Sequence, residues 1–182
     1  LALLPAGPAD GETPVNLRSG TALATQPVAN GVLVALDDIP AHSLLPLGKR
    51  AEAPPELAGM LRVKVAGETA VLENSLIRAT FNQAGDLISL YDKEVAREVL
   101  APGQNGNLFQ AFEDRPLDWE AWDIDIYYEE KEWHADPASR ITIIEDGPLR
   151  AGLEIRRTIL RSEIVQRVYL ERNGRQLTFD TW

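Results

Sequence analysis

Between Glu113 and Asp136 the chain sets ten carboxylates against two basic side chains, Arg115 and Lys131. Within 116–133 (PLDWEAWDIDIYYEEKEW) it interleaves them with three of its four tryptophans and two of its four tyrosines. Two chemistries use such residues. A retaining glycosidase needs one carboxylate as nucleophile and a second about 5 Å away as acid/base. A sugar-binding surface needs aromatic faces for the CH side of the ring and carboxylates for neighbouring hydroxyls. A third reading needs no ligand: an acidic strand that covers a core or meets another domain.

Extended backbone would divide the stretch into two faces. Glu120, Trp122, Ile124, Ile126 and Tyr128 share one, and Trp119, Ala121, Asp123, Asp125 and Tyr127 the other. The first is mostly apolar, so Trp122 reads as core. The second mixes aromatics with acids as a wet groove does, which makes Trp119 and Asp123 the better site candidates. A one-residue bulge reverses the assignment.

Other constellations are weaker. Ser75, Ser89 or Ser139 can be drawn into a triad with His134, but none lies in a Gly-x-Ser-x-Gly frame. Asp123 and Asp125 begin like a calcium loop that lacks its glycine and distal glutamate. Gly103–Gly106 is a turn with no Lys-Ser or Lys-Thr after it to bind phosphate. The two histidines, His42 and His134, stand in no metal-binding frame, and there is no cysteine for a zinc finger, thiolate or disulfide. No residue of this chain is assigned as catalytic or as a metal ligand.

The composition, 45% apolar and 25% charged over 182 residues, is that of a chain able to build a core. A net charge of -10 without a basic patch longer than Arg156-Arg157 argues against nucleic acid and anionic membranes. No apolar run reaches the roughly 20 residues of a membrane span, and LALLPAG lacks the basic start of a signal peptide. The only methionine is Met60, so the chain reads as a piece of a longer polypeptide.

Strand-sized runs bounded by turn residues dominate. Residues 1–13 read as a linker. Val15–Leu17, Thr21–Ala24, Gly31–Leu36 and Ser43–Leu47 form a small β-domain over 14–60, which ends in a charged stretch containing Pro54 and Pro55. From Leu61 a second unit, 61–182, reads as antiparallel hairpins: Thr69–Glu73, Leu76–Phe81 and Leu87–Tyr91, then Ile141–Glu145 and Leu149–Leu160 about Asp146-Gly147, and Ile164–Leu170 and Gln176–Phe179 about Asn173-Gly174. Helix is limited to a turn or two near Glu94–Leu100 or Pro55–Met60. Arg156, Arg157, Arg161 and Arg167 fall on adjacent strands and read as a solvated face paired with acids.

These residues resemble a known family. LEN at 72–74, the Gly85-Asp86-Leu87 turn, DKE at 92–94 with REVL at 97–100, the Pro116-x-x-Trp119-x-Ala121-Trp122-Asp123 element and the closing FDTW follow the order and spacing of the carboxyl-terminal half of glycoside hydrolase family 38 α-mannosidases, nearest the bacterial and cytosolic-type branch. Residues 68–182 carry the resemblance, and 14–48 resemble the small β-domain before it. The resemblance implies an all-β fold: an antiparallel β-sandwich, part of a galactose-mutarotase-like supersandwich, preceded by the small β-domain. It implies that zinc and the aspartate nucleophile belong to a catalytic domain outside this chain, and that this portion supports that domain. Asp118, Trp119, Trp122 and Asp123 would line its active site, facing a mannose-containing carbohydrate, with plain interface as the alternative. The branch implies a cytoplasmic parent. A free-standing carbohydrate-binding module, or a structural interaction domain able to form a homo-oligomer, remains the competing reading.

Overall fold

The computed structural model describes residues 1–5, 12–36, 39–119, 122 and 124–182. Among them every regular element is a strand except one 3-10 turn at Ile126–Glu130. The amino-terminal unit contains β1 (Ala2–Leu4), β2 (Thr13–Asn16), β3 (Thr25–Val28), β4 (Gly31–Val34) and β5 (Leu47–Arg50). They pair as a sheet in the order β1-β4-β3 and a ribbon β2-β5. Ala2–Leu4 thus lies in a strand, not a linker, because its backbone pairs with Val32–Val34. β3 contains Pro27, which breaks a ladder and so hides the strand from a pattern reading; at the sheet edge the missing N–H does no harm.

The larger unit is a sandwich. One layer holds β6 (Leu61–Ala66), β7 (Thr69–Asn74), β8 (Ile77–Asn82), β9 (Leu87–Asp92) and β10 (Arg97–Glu98) in the order β10-β9-β8-β7-β6. A separate ribbon of β11 (Gln110–Phe112) and β12 (Glu132–His134) leads to the other layer, β13 (Arg140–Asp146), β14 (Arg150–Ile159), β15 (Ser162–Glu171) and β16 (Leu177–Thr181), paired in sequence order. All pairs are antiparallel. Alternation explains the core: Leu72, Ala79 and Phe81 from one layer meet Leu153, Ile155, Val168 and Leu170 from the other, all fully buried. The short helix expected near Glu94–Leu100 is a turn running into β10, where the Glu98 carboxylate accepts from Ser89 Oγ and the Leu90, Val99 and Leu100 amides. Pro55–Met60 is irregular, as two prolines require.

The units meet at Ala24, Leu33 and Leu149, and at Gln26, which is 2% exposed. Its amide nitrogen donates to Arg150 O at 2.8 Å, and its oxygen accepts from Leu149 N and Arg150 N at 2.8 and 2.7 Å. The side chain serves β14 as a neighbouring strand would. Arg172 adds a clamp, donating to Ala58 O and Gly59 O at 3.1 and 2.6 Å and to Pro148 O.

Candidate functional site on an exposed arm

β11 and β12 form the base of an arm, Phe112 opposite Glu132, and Glu113 N donates to Lys131 O at 3.0 Å just beyond. An edge-on contact of Phe112 with Tyr128 at 5.3 Å covers the next step. Lys131 bonds Glu113 at 2.8 Å while lying over the Trp133 ring at 4.9 Å, and Arg115 reaches the same carboxylate at 3.0 Å. The bond from Lys131, with the two positive charges, holds Glu113 below the ordinary carboxylate range. Both bases of the stretch are therefore engaged by one acid, leaving Asp114, Asp118, Glu129 and Glu130 in solvent.

The described residues of the tip form no strand. Trp122 N donates to Trp119 O at 2.9 Å, Leu117 N donates to the Asp125 carboxylate at 2.8 Å, and Trp119 has φ 65°, in the left-handed region that a bulky side chain rarely adopts. The alternating division of 118–128 fails for this reason. Trp122, expected in the core, is 89% exposed, and its supposed core-mates Ile124 and Ile126 are exposed as well. Trp119 is 75% exposed and Asp118 is in solvent. Asp123 lies outside the described residues. Leu117 and Tyr127 add to the apolar surface; from the sequence, Tyr127 is expected on the aromatic-acidic face, and Leu117 is not singled out.

The root of the arm is firmly held. Ala135 N donates to Phe109 O at 3.0 Å, Asp136 N to Thr158 O at 2.8 Å, and Thr158 Oγ1 to the Asp136 carboxylate at 2.5 Å. Arg157, read from sequence as solvated, is buried beside this root. Burial pulls its pKa down, and the bond and charge of Asp86 oppose the shift. The signal was present: Arg157 shares its parity along β14 with Ala151, Leu153 and Ile155, so it had to point inward. Arg156 and Arg167 do form the expected outer face, both paired with Glu154 at 2.9 and 3.0 Å.

The remaining motifs are fixed in the sandwich. Leu72 is core; Glu73 pairs with Lys93 and Arg62; Asn74 links the β7–β8 turn to the β15–β16 turn. Asp92 caps its turn through Glu94 N and Val95 N, and Glu94 pairs with Arg175. Trp182 lies beneath Arg167 at 5.1 Å. The described tryptophans of the Pro-x-x-Trp-x-Ala-Trp-Asp element lie in solvent, as do Val99 of the REVL motif and Phe179 and Trp182 of the closing FDTW. Among the described residues no three His, Asp or Glu side chains converge as a metal would need.

The pattern is that of a β-sandwich with an exposed arm. Residues 72–182 match the family model for the glycosyl hydrolases family 38 C-terminal domain. Human and mouse alpha-mannosidase 2C1 are each 34% identical over 85 residues, 46% of this chain and 8% of either protein. Alpha-mannosidase G of Dictyostelium discoideum is 34% identical over 90 residues, 47% of this chain and 8% of that protein. The crystal structure of an alpha-mannosidase from Enterococcus faecalis V583 shares the fold, with a TM-score of 0.54 at 16% identity over 99% of this chain and 25% of that one. The chain belongs to glycosyl hydrolase family 38, in the C-terminal domain. The matched segment spans less than a tenth of the curated relatives' length.

Proposed function

We propose that this chain is the non-catalytic β-portion of a retaining α-mannosidase, with 14–60 as a small β-domain and 61–182 as the opening of the supersandwich. The observation that carries the reading is the arm: among the described residues its tip gathers Leu117, Trp119, Trp122 and Ile126, each at least 75% exposed. A cluster of exposed apolar side chains gathered at one tip marks a surface made for another body. That body is the catalytic domain, which holds the zinc and the nucleophile. Trp119 and Trp122, with Asp118 and Asp123, would lie at the edge of its sugar site, where aromatic faces and carboxylates suit mannose. The branch resembled places the parent in the cytoplasm, and no helix of the described residues is long and apolar enough to cross a membrane.

The deciding experiment is hydrolysis of an aryl α-mannoside by the purified, folded chain with zinc added. No turnover is expected. Turnover abolished by Asp123→Asn would mean that the acidic cluster is itself an active site. The exposure of both tip tryptophans also favours a second reading, a carbohydrate-binding module active alone. Quenching of tryptophan fluorescence by millimolar mannose or an oligomannoside, lost in Trp119→Ala, supports that reading; an unchanged spectrum removes it.

A further inference from the structure

Arg157 stands where an apolar side chain would be expected. It faces inward on β14, is 2% exposed, and its Nε has no hydrogen-bond partner. Buried ion pairs can often be replaced by well-packed apolar residues with little loss of stability, so stability alone does not account for it. Its contacts share one feature. Nη2 donates to Gly85 O and Nη1 reaches Asp86 at 3.2 Å, both in the β8–β9 turn. The guanidinium lies over the Phe109 ring at 5.2 Å, immediately before β11. Asn107, at φ 59°, donates to the same Gly85 O at 3.2 Å and to Gln166 Oε1 at 2.7 Å. The next residue of β14, Thr158, holds the returning side of the arm through Asp136.

We propose that Arg157 is the positioning residue of the arm: by joining the β8–β9 turn to the Phe109 ring it fixes the angle at which β11 and β12 leave the sandwich. The direction in which Trp119 and Trp122 are presented follows from that angle. A planar guanidinium suits the task because it stacks on a ring and bonds two oxygens in its own plane at once, which an ammonium does not. The functional meaning rests on the arm as a docking element, but its orientation is a property of the chain alone and is measured without sugar or catalytic domain.

The lack of cysteine makes the measurement direct. Spin labels on Glu68→Cys, at the β6–β7 turn, and Glu130→Cys, on the arm, report the distance between sandwich and arm. The parent pair is expected to give one narrow distribution. Arg157→Met, close in length and apolar, is expected to shift or broaden it while the circular dichroism spectrum is kept, and Arg157→Lys to recover it only in part. Phe109→Leu leaves the Arg157–Asp86 pair in place and is expected to broaden the distribution too, which provides the test if Arg157→Met does not fold. A broad distribution in the parent, or a parent-like narrow one in every folded variant, overturns the proposal, even if those variants melt earlier.

Discussion

The Asn74 side chain makes four hydrogen bonds, and the residue has no exposure. Its Nδ2 donates to Glu171 O and Gly174 O at 2.8 and 2.7 Å, and its Oδ1 accepts from Leu76 N and Ile77 N, both at 2.8 Å. Truncation leaves several buried backbone groups unpaired, at roughly 1–3 kcal/mol each. Asn74→Ala is expected to lower stability by about 3 kcal/mol or more in urea unfolding. Asn74→Asp is no rescue at neutral pH, because it turns a carboxylate oxygen toward two carbonyls; recovery with Asp would show that only the acceptor bonds matter. The neighbouring Glu73 sets a pH dependence. Burial alone pushes its pKa up, but the bonds and charges of Lys93, at 2.7 Å, and Arg62 outweigh this and hold it below the usual 4.5. The unfolded chain therefore takes up this proton more readily than the folded one, so the stabilisation is complete above the unfolded value and is lost as pH falls through the lower folded one. Glu73→Gln is expected to lose about 1–3 kcal/mol at pH 7, from hydrogen bonds to a charged group, and the gap from wild type to close in acid. A gap that stays constant to pH 3 would show that the charge does not matter.

At the scale of elements, one part of the joint between the two units is an amide over a glycine. A Cβ on Gly147 would stand 2.3 Å from Gln26 Cδ, so the turn between β13 and β14 needs glycine there to admit the side chain that bonds Leu149 and Arg150. Gln26→Ala strands three backbone groups and is expected to lower stability by about 2–4 kcal/mol. Gly147→Ala is expected to cost a similar amount by displacing Gln26. The double variant should cost little more than Gln26→Ala alone, because the space is already vacated; full additivity in a thermal or urea cycle would contradict the clamp. The hairpins on either side of this joint are legible in the sequence, since Asp146-Gly147 and Asn173-Gly174 separate runs that alternate with period two. β1 and β3 are not, because an edge strand of three or four residues, one of them with a proline, is made by its pairing with β4 and carries no strong pattern of its own. The arm tip is the opposite failure. Its aromatic run scans as a strand, but a left-handed Trp119 and the Leu117–Asp125 bond close it into a loop that periodicity cannot describe.

For the whole molecule, what is legible is that 116–133 differs from the rest of the chain, and what is not is how its described side chains are exposed. The sequence gives no sign that Trp122 points to solvent, because an exposed aromatic run has the same composition as a buried one. The consequence is measurable in the chain by itself. Its net charge of -10 sets copies repelling one another at low ionic strength, while Leu117, Trp119, Trp122 and Tyr127 offer an apolar contact that no described neighbour covers. Salt screens the first over roughly 10 Å at 0.1 M and about 3 Å at 1 M and leaves the second intact. Sedimentation of the purified chain is therefore expected to show a mass that rises with concentration, and rises further with added salt. The combined Trp119→Ala and Trp122→Ala variant is expected to remain monomeric at both, with a midpoint of unfolding within about 0.5 kcal/mol of wild type, since exposed side chains contribute little to the fold. Association that weakens with salt would place the contact among charged groups, and association unchanged by the double variant would place it away from the arm. Either result would remove the main reason for reading the tip as a surface made for another domain.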